Sequence, residues 1–145
     1  MKKPEQLDKL ALVNETREKD AGRQLASDNL QHEALQQQLD KLKAYRDEYK
    51  EKLNKEMGTM ESAHTIRDYH NFIRVLDRAI KEQFLAVEGS AGRLQHSKDN
   101  WIHSKGEVKK IEEMQDRSSR QLRKEEVLME QKQSDEMYSN RLSHS

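Results

Sequence analysis

The sequence predicts an all-α chain: a long antiparallel two-helix coiled-coil hairpin with an overhanging C-terminal helix. The first observation is a seven-residue series, Ile66, Ile73, Ile80, Val87, Leu94, Trp101, Val108, Gln115, Leu122 and Met129, in which only Gln115 is polar. In a chain that is 32% hydrophobic, chance produces that in one chosen register roughly a few times in ten thousand. A strict seven-residue period holds one helix edge against a partner and bends the pair into a left-handed supercoil. The second observation is composition: 37% of the 145 residues are charged and 5% aromatic, with 5 Gly and 1 Pro. That is too little apolar surface for a globular core, and enough for helices that each bury one stripe. The third is a single convincing break, Met57-Gly58-Thr59-Met60-Glu61-Ser62.

The first helix is expected over about 5–55, the turn over about 56–62 and the second helix over about 63–140, all in one coiled-coil domain spanning 1–145. Pro4 suits the first turn, where its missing N–H is no loss. Two interleaved spacings mark the best part of the first helix: Leu25, His32, Leu39, Arg46, Leu53, and Leu35, Leu42, Tyr49. Its first twenty residues keep a narrower edge of Leu7, Leu10, Ala11, Val13 and Ala21, and Gly22 lowers helix propensity locally.

Gly58 is expected to close the first helix with a positive φ. Thr59, Ser62 or Thr65 is expected to cap the second, Thr65 having Asp68 at capping-box spacing. The other seam of the second helix is weaker by hydropathy, reading Tyr69, Leu76, Gln83, Ser90, Ser97, Ser104, Ile111, Ser118 and Glu125. Gly89-Ser90-Ala91-Gly92 reads as a weak or slightly bent segment with close helix approach, a hinge being the minor alternative. The tail Arg141–Ser145 is expected to fray.

A short loop makes the helices antiparallel neighbours, and partners then add to about 120. The second helix, at about 110 Å against about 75 Å, outruns the first and projects roughly 25 residues beyond it.

Several function classes fall away. There is no Cys, no apolar run near membrane-spanning length and no signal-peptide core. Net charge is zero, from 27 basic and 27 acidic residues, which argues against nucleic acid and against spontaneous binding to an anionic membrane; with such short apolar runs no direct membrane insertion is expected. The six His are scattered, Glu125-Glu126 lies in a charged run, and no Gly-Lys-Ser/Thr follows Gly92. The expectation is no enzyme, no catalytic residue, no metal site and no cofactor.

One patch is wider than a two-helix seam requires. Gln38, Leu42, Tyr45 and Tyr49 share a side of the first helix, and Phe72, Leu76, Ala79 and Gln83 share a side of the second. Folding the hairpin pairs Tyr49 with Phe72, Tyr45 with Leu76, Leu42 with Ala79 and Gln38 with Gln83. Extra aromatic surface on a helical hairpin marks a partner; the plainer reading is that Tyr45 and Phe72 lean over the seam as cover.

Tyr45-Arg46-Asp47-Glu48-Tyr49, Leu53-Asn54 with Met57-Gly58, Tyr69 with Phe72-Ile73, Leu76-Asp77-Arg78-Ala79-Ile80, Trp101, Gln115-Asp116-Arg117, and Glu130-Gln131-Lys132 with Asp135-Glu136 together resemble the flagellar type III export protein FliJ. The resemblance covers roughly residues 5 to 140. It implies a cytoplasmic coiled coil, peripheral at the inner membrane through the export apparatus. It also implies a central stalk in the export ATPase ring, binding to the cytoplasmic domain of the export-gate protein, and contact with export chaperones. The family's gate-binding patch falls on Gln38, Leu42, Tyr45, Tyr49, Phe72, Leu76, Ala79 and Gln83, with Gln83 standing where an imidazole can occur. The family's ATPase-ring end falls on the overhang, where Arg117, Arg120, Leu122, Arg123, Gln131 and Asp135 are the expected contacts. The alternatives are the stalk protein of a virulence type III secretion system and a plain tethering coiled coil.

Overall fold

The computed structural model describes residues 3–58 and 63–143. Nearly all of them lie in two helices, α1 (Pro4–Met57) and α2 (Ala63–Ser143), and the described residues contain no strand. The two helices pack against each other. The chain divides into two compact units, Ala21–Trp101 and Met1–Asp20 with Ile102–Ser145.

Pro4 is the first helical residue of α1, and the Lys3 carbonyl accepts from Gln6 and Leu7 N–H at 3.0 and 3.1 Å. At the other end Gly58 N–H donates to Lys55 O at 3.2 Å, a tighter closing turn. Gly58 does so without the positive φ expected of it. Thr65 is not a cap, because α2 already runs from Ala63; Thr59 and Ser62 lie outside the described residues. Arg141, Leu142 and Ser143 continue α2 rather than fraying, with Ser143 Oγ donating to Asn140 O.

In the unit Ala21–Trp101 the helices run antiparallel within a turn of the expected register. Cross-helix neighbours step through Asp28 and Ser97, His32 and Ser90, Arg46 and Asp77, and Tyr49 and Phe72. Leu39, Leu53, Ile73, Leu76 and Ile80 are buried. Burying each of these contributes about 1.5–3 kcal/mol over leaving it in water.

The seam that hydropathy marks as weak is the deeper one. Ser90 is 1% exposed and Ser97 is buried, while Val87 and Leu94 are only half-buried. A serine is short enough to be covered entirely where two helices meet, whereas a longer side chain at the edge of a two-helix contact keeps one side wet. The close approach expected at Gly89 and Gly92 is therefore made by Ser90. A Cβ added at Gly92 would meet nothing within 4 Å, and one at Gly89 only Arg93 of its own helix at 3.6 Å. α2 is continuous through all four residues.

Burial of these serines requires partners. Ser97 Oγ donates to Asp28 Oδ2, and Gln24 Nε2 donates to Asp28 Oδ1 at 3.0 Å. Ser90 Oγ lies within donating distance of Val87 O, at 2.8 Å. His32 Nδ1 lies 2.7 Å from the same hydroxyl oxygen, a second hydrogen bond that ties the imidazole across the seam to Ser90. Gln83 Nε2 crosses to Leu35 O at 2.9 Å.

Gly22 faces Trp101, where an added Cβ would lie 3.4 Å from the indole nitrogen. That is ordinary contact distance, so the indole lies beside the α1 backbone with room left for a methyl group.

In the other unit Leu7 is 2% exposed, Ile111 and Ser118 are buried, and Gln115 Nε2 donates to Asp8 Oδ1 at 3.0 Å. Leu10 and Ala11 are half-buried, and Val13, expected on the same edge, is exposed. From Ser119 to Ser143 every residue of α2 is exposed.

Candidate functional site

The aromatic patch belongs to the unit Ala21–Trp101. Its residues sit at three depths. Leu76 is core at 7% exposure, so it props the patch from beneath. Leu42, Tyr49, Ala79 and Gln83 are half-buried. Gln38, Tyr45 and Phe72 face solvent, Tyr45 at 55% and Phe72 at 42% exposure. Of the four expected pairings, Tyr49 with Phe72 is a direct ring contact, 4.5 Å between centroids at 49°. Gln83 spends its amide on the Leu35 carbonyl, which ties it to the hairpin.

Tyr49 organises the surface around it. Its ring meets Tyr69 at 5.9 Å, and the Lys52 ammonium lies 5.0 Å from its centroid, within cation–π range. Lys52 also reaches Glu48 at 3.5 Å, one turn away. Tyr69 donates its hydroxyl to Glu56 Oε1 at 3.2 Å. Desolvation, then that bond to a carboxylate, holds the Tyr69 phenol above its usual pKa. Val75, three residues beyond Phe72 and 61% exposed, extends the apolar strip outward. It escapes the seven-residue pattern because it lies beyond both seam positions. Its spacing from Phe72 was the available signal.

The second surface belongs to the other unit. Arg117, Arg120, Leu122, Arg123, Gln131 and Asp135 are all exposed on α2. Leu122, Val127, Leu128, Met129, Met137, Tyr138 and Leu142 are large apolar residues left open there. Charge is segregated along this stretch. Residues 117–124 hold Arg117, Arg120, Arg123 and Lys124 and no acid; residues 125–136 hold Glu125, Glu126, Glu130, Asp135 and Glu136 against Lys132 alone. Arg123, Lys124, Val127 and Leu128 line a shallow groove of about 400 Å³.

Among the described residues no group of three or more His, Cys, Asp or Glu is placed to hold a metal ion, and no helix is long and apolar enough to cross a membrane. The fold and its two exposed surfaces define an α-helical hairpin protein of coiled-coil type. The family model described as Flagellar FliJ protein matches residues 2–145, and the chain belongs to that family. It is a component of the flagellar export apparatus, and so of flagellum biogenesis and type III protein export. No curated protein and no solved structure gives a significant match.

Proposed function

We propose that this chain is the central stalk and adaptor of the flagellar export ATPase. It performs no chemistry of its own. Its overhang enters the ATPase ring and stimulates hydrolysis, and the patch around Tyr45 and Phe72 binds the cytoplasmic domain of the export-gate protein. Export chaperones are further partners. The chain works in the cytoplasm, held at the inner face of the membrane through the apparatus rather than by insertion.

The observation that carries this reading is the unbroken exposed run of α2 from Ser119 to Ser143 in a member of this family. An isolated charged helix of that length is marginal in water. A socket that supplies the missing contacts makes it worthwhile, and a thin apolar edge between charges permits release. Truncation after Arg117 tests the reading. Stimulation of the export ATPase should disappear while gate binding through the Tyr45 patch persists. Full stimulation by the truncated chain would remove the overhang from the stalk.

A further inference from the structure

We propose that the overhang docks through one side only, and that the surface it meets on the export ATPase is a short acidic amphipathic segment. That the ATPase carries the segment rests on the reading above; the one-sidedness comes from this chain. Residues 117–124 hold Arg117, Arg120, Arg123 and Lys124 and no acid. With about 3.6 residues per turn, the four fall within an arc of about 120° round α2. Arg120 lies about half a turn from the buried edge of Ile111 and Ser118, and the other three about a third of a turn from it. The cations therefore look away from α1. Glu125 and Glu126, the next two residues, each stand about a third of a turn or more from the centre of that arc.

These cations are not neutralised locally. Elsewhere on the surface Lys52 pairs with Glu48, Lys55 with Glu51 and Lys110 with Glu107, each within a turn. Among the described residues none of the four joins an ion pair, and Arg120 Nε donates to the Asp116 carbonyl at 3.4 Å. Arg117, Arg120, Gln121 and Lys124 line a shallow groove of about 400 Å³, and Arg123, Lys124, Val127 and Leu128 line a second of about 400 Å³. Lys124 belongs to both, so a basic groove runs directly into an apolar one. Val127 is 60% and Leu128 64% exposed.

The two grooves together specify the occupant. Arg117, Arg120 and Lys124 rise by about 4.5 and then 6 Å along the axis, the spacing of carboxylates one turn apart on a helix. Each arginine can take a carboxylate through two parallel N–H bonds. One aliphatic or aromatic side chain then covers Val127 and Leu128. A broad anionic front does not fit. The basic stretch is only about 10 Å long; Glu113 and Asp116 precede it on the same side, and Glu125 and Glu126 stand beside it. A bilayer or a duplex meets those carboxylates as well as the cations, whereas a short segment meets the cations alone.

The test is titration of the full chain with the purified export ATPase from about 0.05 to 0.5 M salt. The variant Arg117→Gln, Arg120→Gln, Lys124→Gln should bind at least about tenfold more weakly at low salt and lose most of the salt dependence. Leu128→Gln should weaken binding with the salt dependence kept. Glu125→Gln with Glu126→Gln, off the arc, should stay within about twofold of the parent. Gln is a good helix former, and circular dichroism checks helicity; if the triple variant loses helix, Lys124→Gln alone carries the test through its salt slope. An equal loss in the Glu125 and Glu126 variant would mean a grip on all sides and overturn the proposal. So would a triple variant that binds like the parent while truncation after Arg117 abolishes binding, since the ATPase then meets another face. Capture of the parent, but not the triple variant, by phosphatidylglycerol vesicles or duplex DNA at about 0.15 M salt would also overturn it, by making the occupant a broad anionic front. Unimpaired binding by the truncated chain would strike the stalk reading itself, and with it the ATPase as partner of this surface.

Discussion

Replacing Ser97 by Ala should cost about 1.5–3 kcal/mol, the range for a hydrogen bond to a carboxylate at a buried site. Asp28 is 9% exposed and Ser97 6%. The substitution removes the donor that crosses from α2 and leaves Asp28 with Gln24 as its one donor given by the geometry. Water cannot replace the serine without parting the helices. Replacing both partners, Asp28→Leu with Ser97→Ala, should recover most of the loss, because an apolar pair leaves no buried polar group unsatisfied. The assay is urea unfolding read by fluorescence of Trp101, the chain's one tryptophan, which lies in the same unit as the pair. A Ser97→Ala variant within about 0.5 kcal/mol of the parent would refute the reasoning. It would mean that Asp28 is served as well by solvent as by Ser97. A double variant weaker than the single would mean that the polar pair contributes stability beyond satisfying its own atoms.

Tyr45→Ala and Phe72→Ala should each cost less than about 1 kcal/mol of fold stability while weakening gate binding at least about tenfold, whereas Leu76→Ala should lose about 2–5 kcal/mol of stability. Thermal melts beside a gate pull-down separate the two kinds of residue, and equal melting losses at all three would mean that the aromatics are core. Gly22→Ala should stabilise by about 0.5–1 kcal/mol through helix propensity. Its new Cβ lies at ordinary contact distance from the Trp101 indole, so an unchanged emission maximum accompanies the gain; a red shift would show the indole pushed out. Tyr69 binds its proton more tightly when folded. Its contribution is therefore complete below the unfolded phenol pKa of about 10 and is lost as pH rises through the higher folded value. Alkaline titration by ultraviolet absorbance should lose its latest-ionising phenol in Tyr69→Phe, and no change would detach the shift from that residue.

Much of the fold was legible without coordinates. The seven-residue period from Ile66 to Val108, the near absence of Gly and Pro, and one break at Met57-Gly58 are local or periodic facts. A local or periodic pattern can be read along one chain. The same facts placed Tyr49 against Phe72 and left α2 without cover beyond about Asp116, two residues short of Ser118, the last buried position. The site was legible in part, since Tyr45 and Phe72 stand beside the seam by count alone.

Pattern by itself determined two long helices, their antiparallel sense, the approximate register and the overhang, because hydrophobic period and turn position define which edges must meet. Only the tertiary structure decided how deep each seam position lies. Ser90 is buried where Leu94 is not, Leu76 supports the patch while Phe72 and Val75 are open on its surface, and Trp101 rests on the bare backbone at Gly22. Depth depends on how near the opposite backbone runs and how much room each side chain fills there. That distance is a joint property of both helices. No single stretch of sequence carries it, and so the polar pairs Asp28–Ser97 and His32–Ser90 emerge only when the two helices are set side by side.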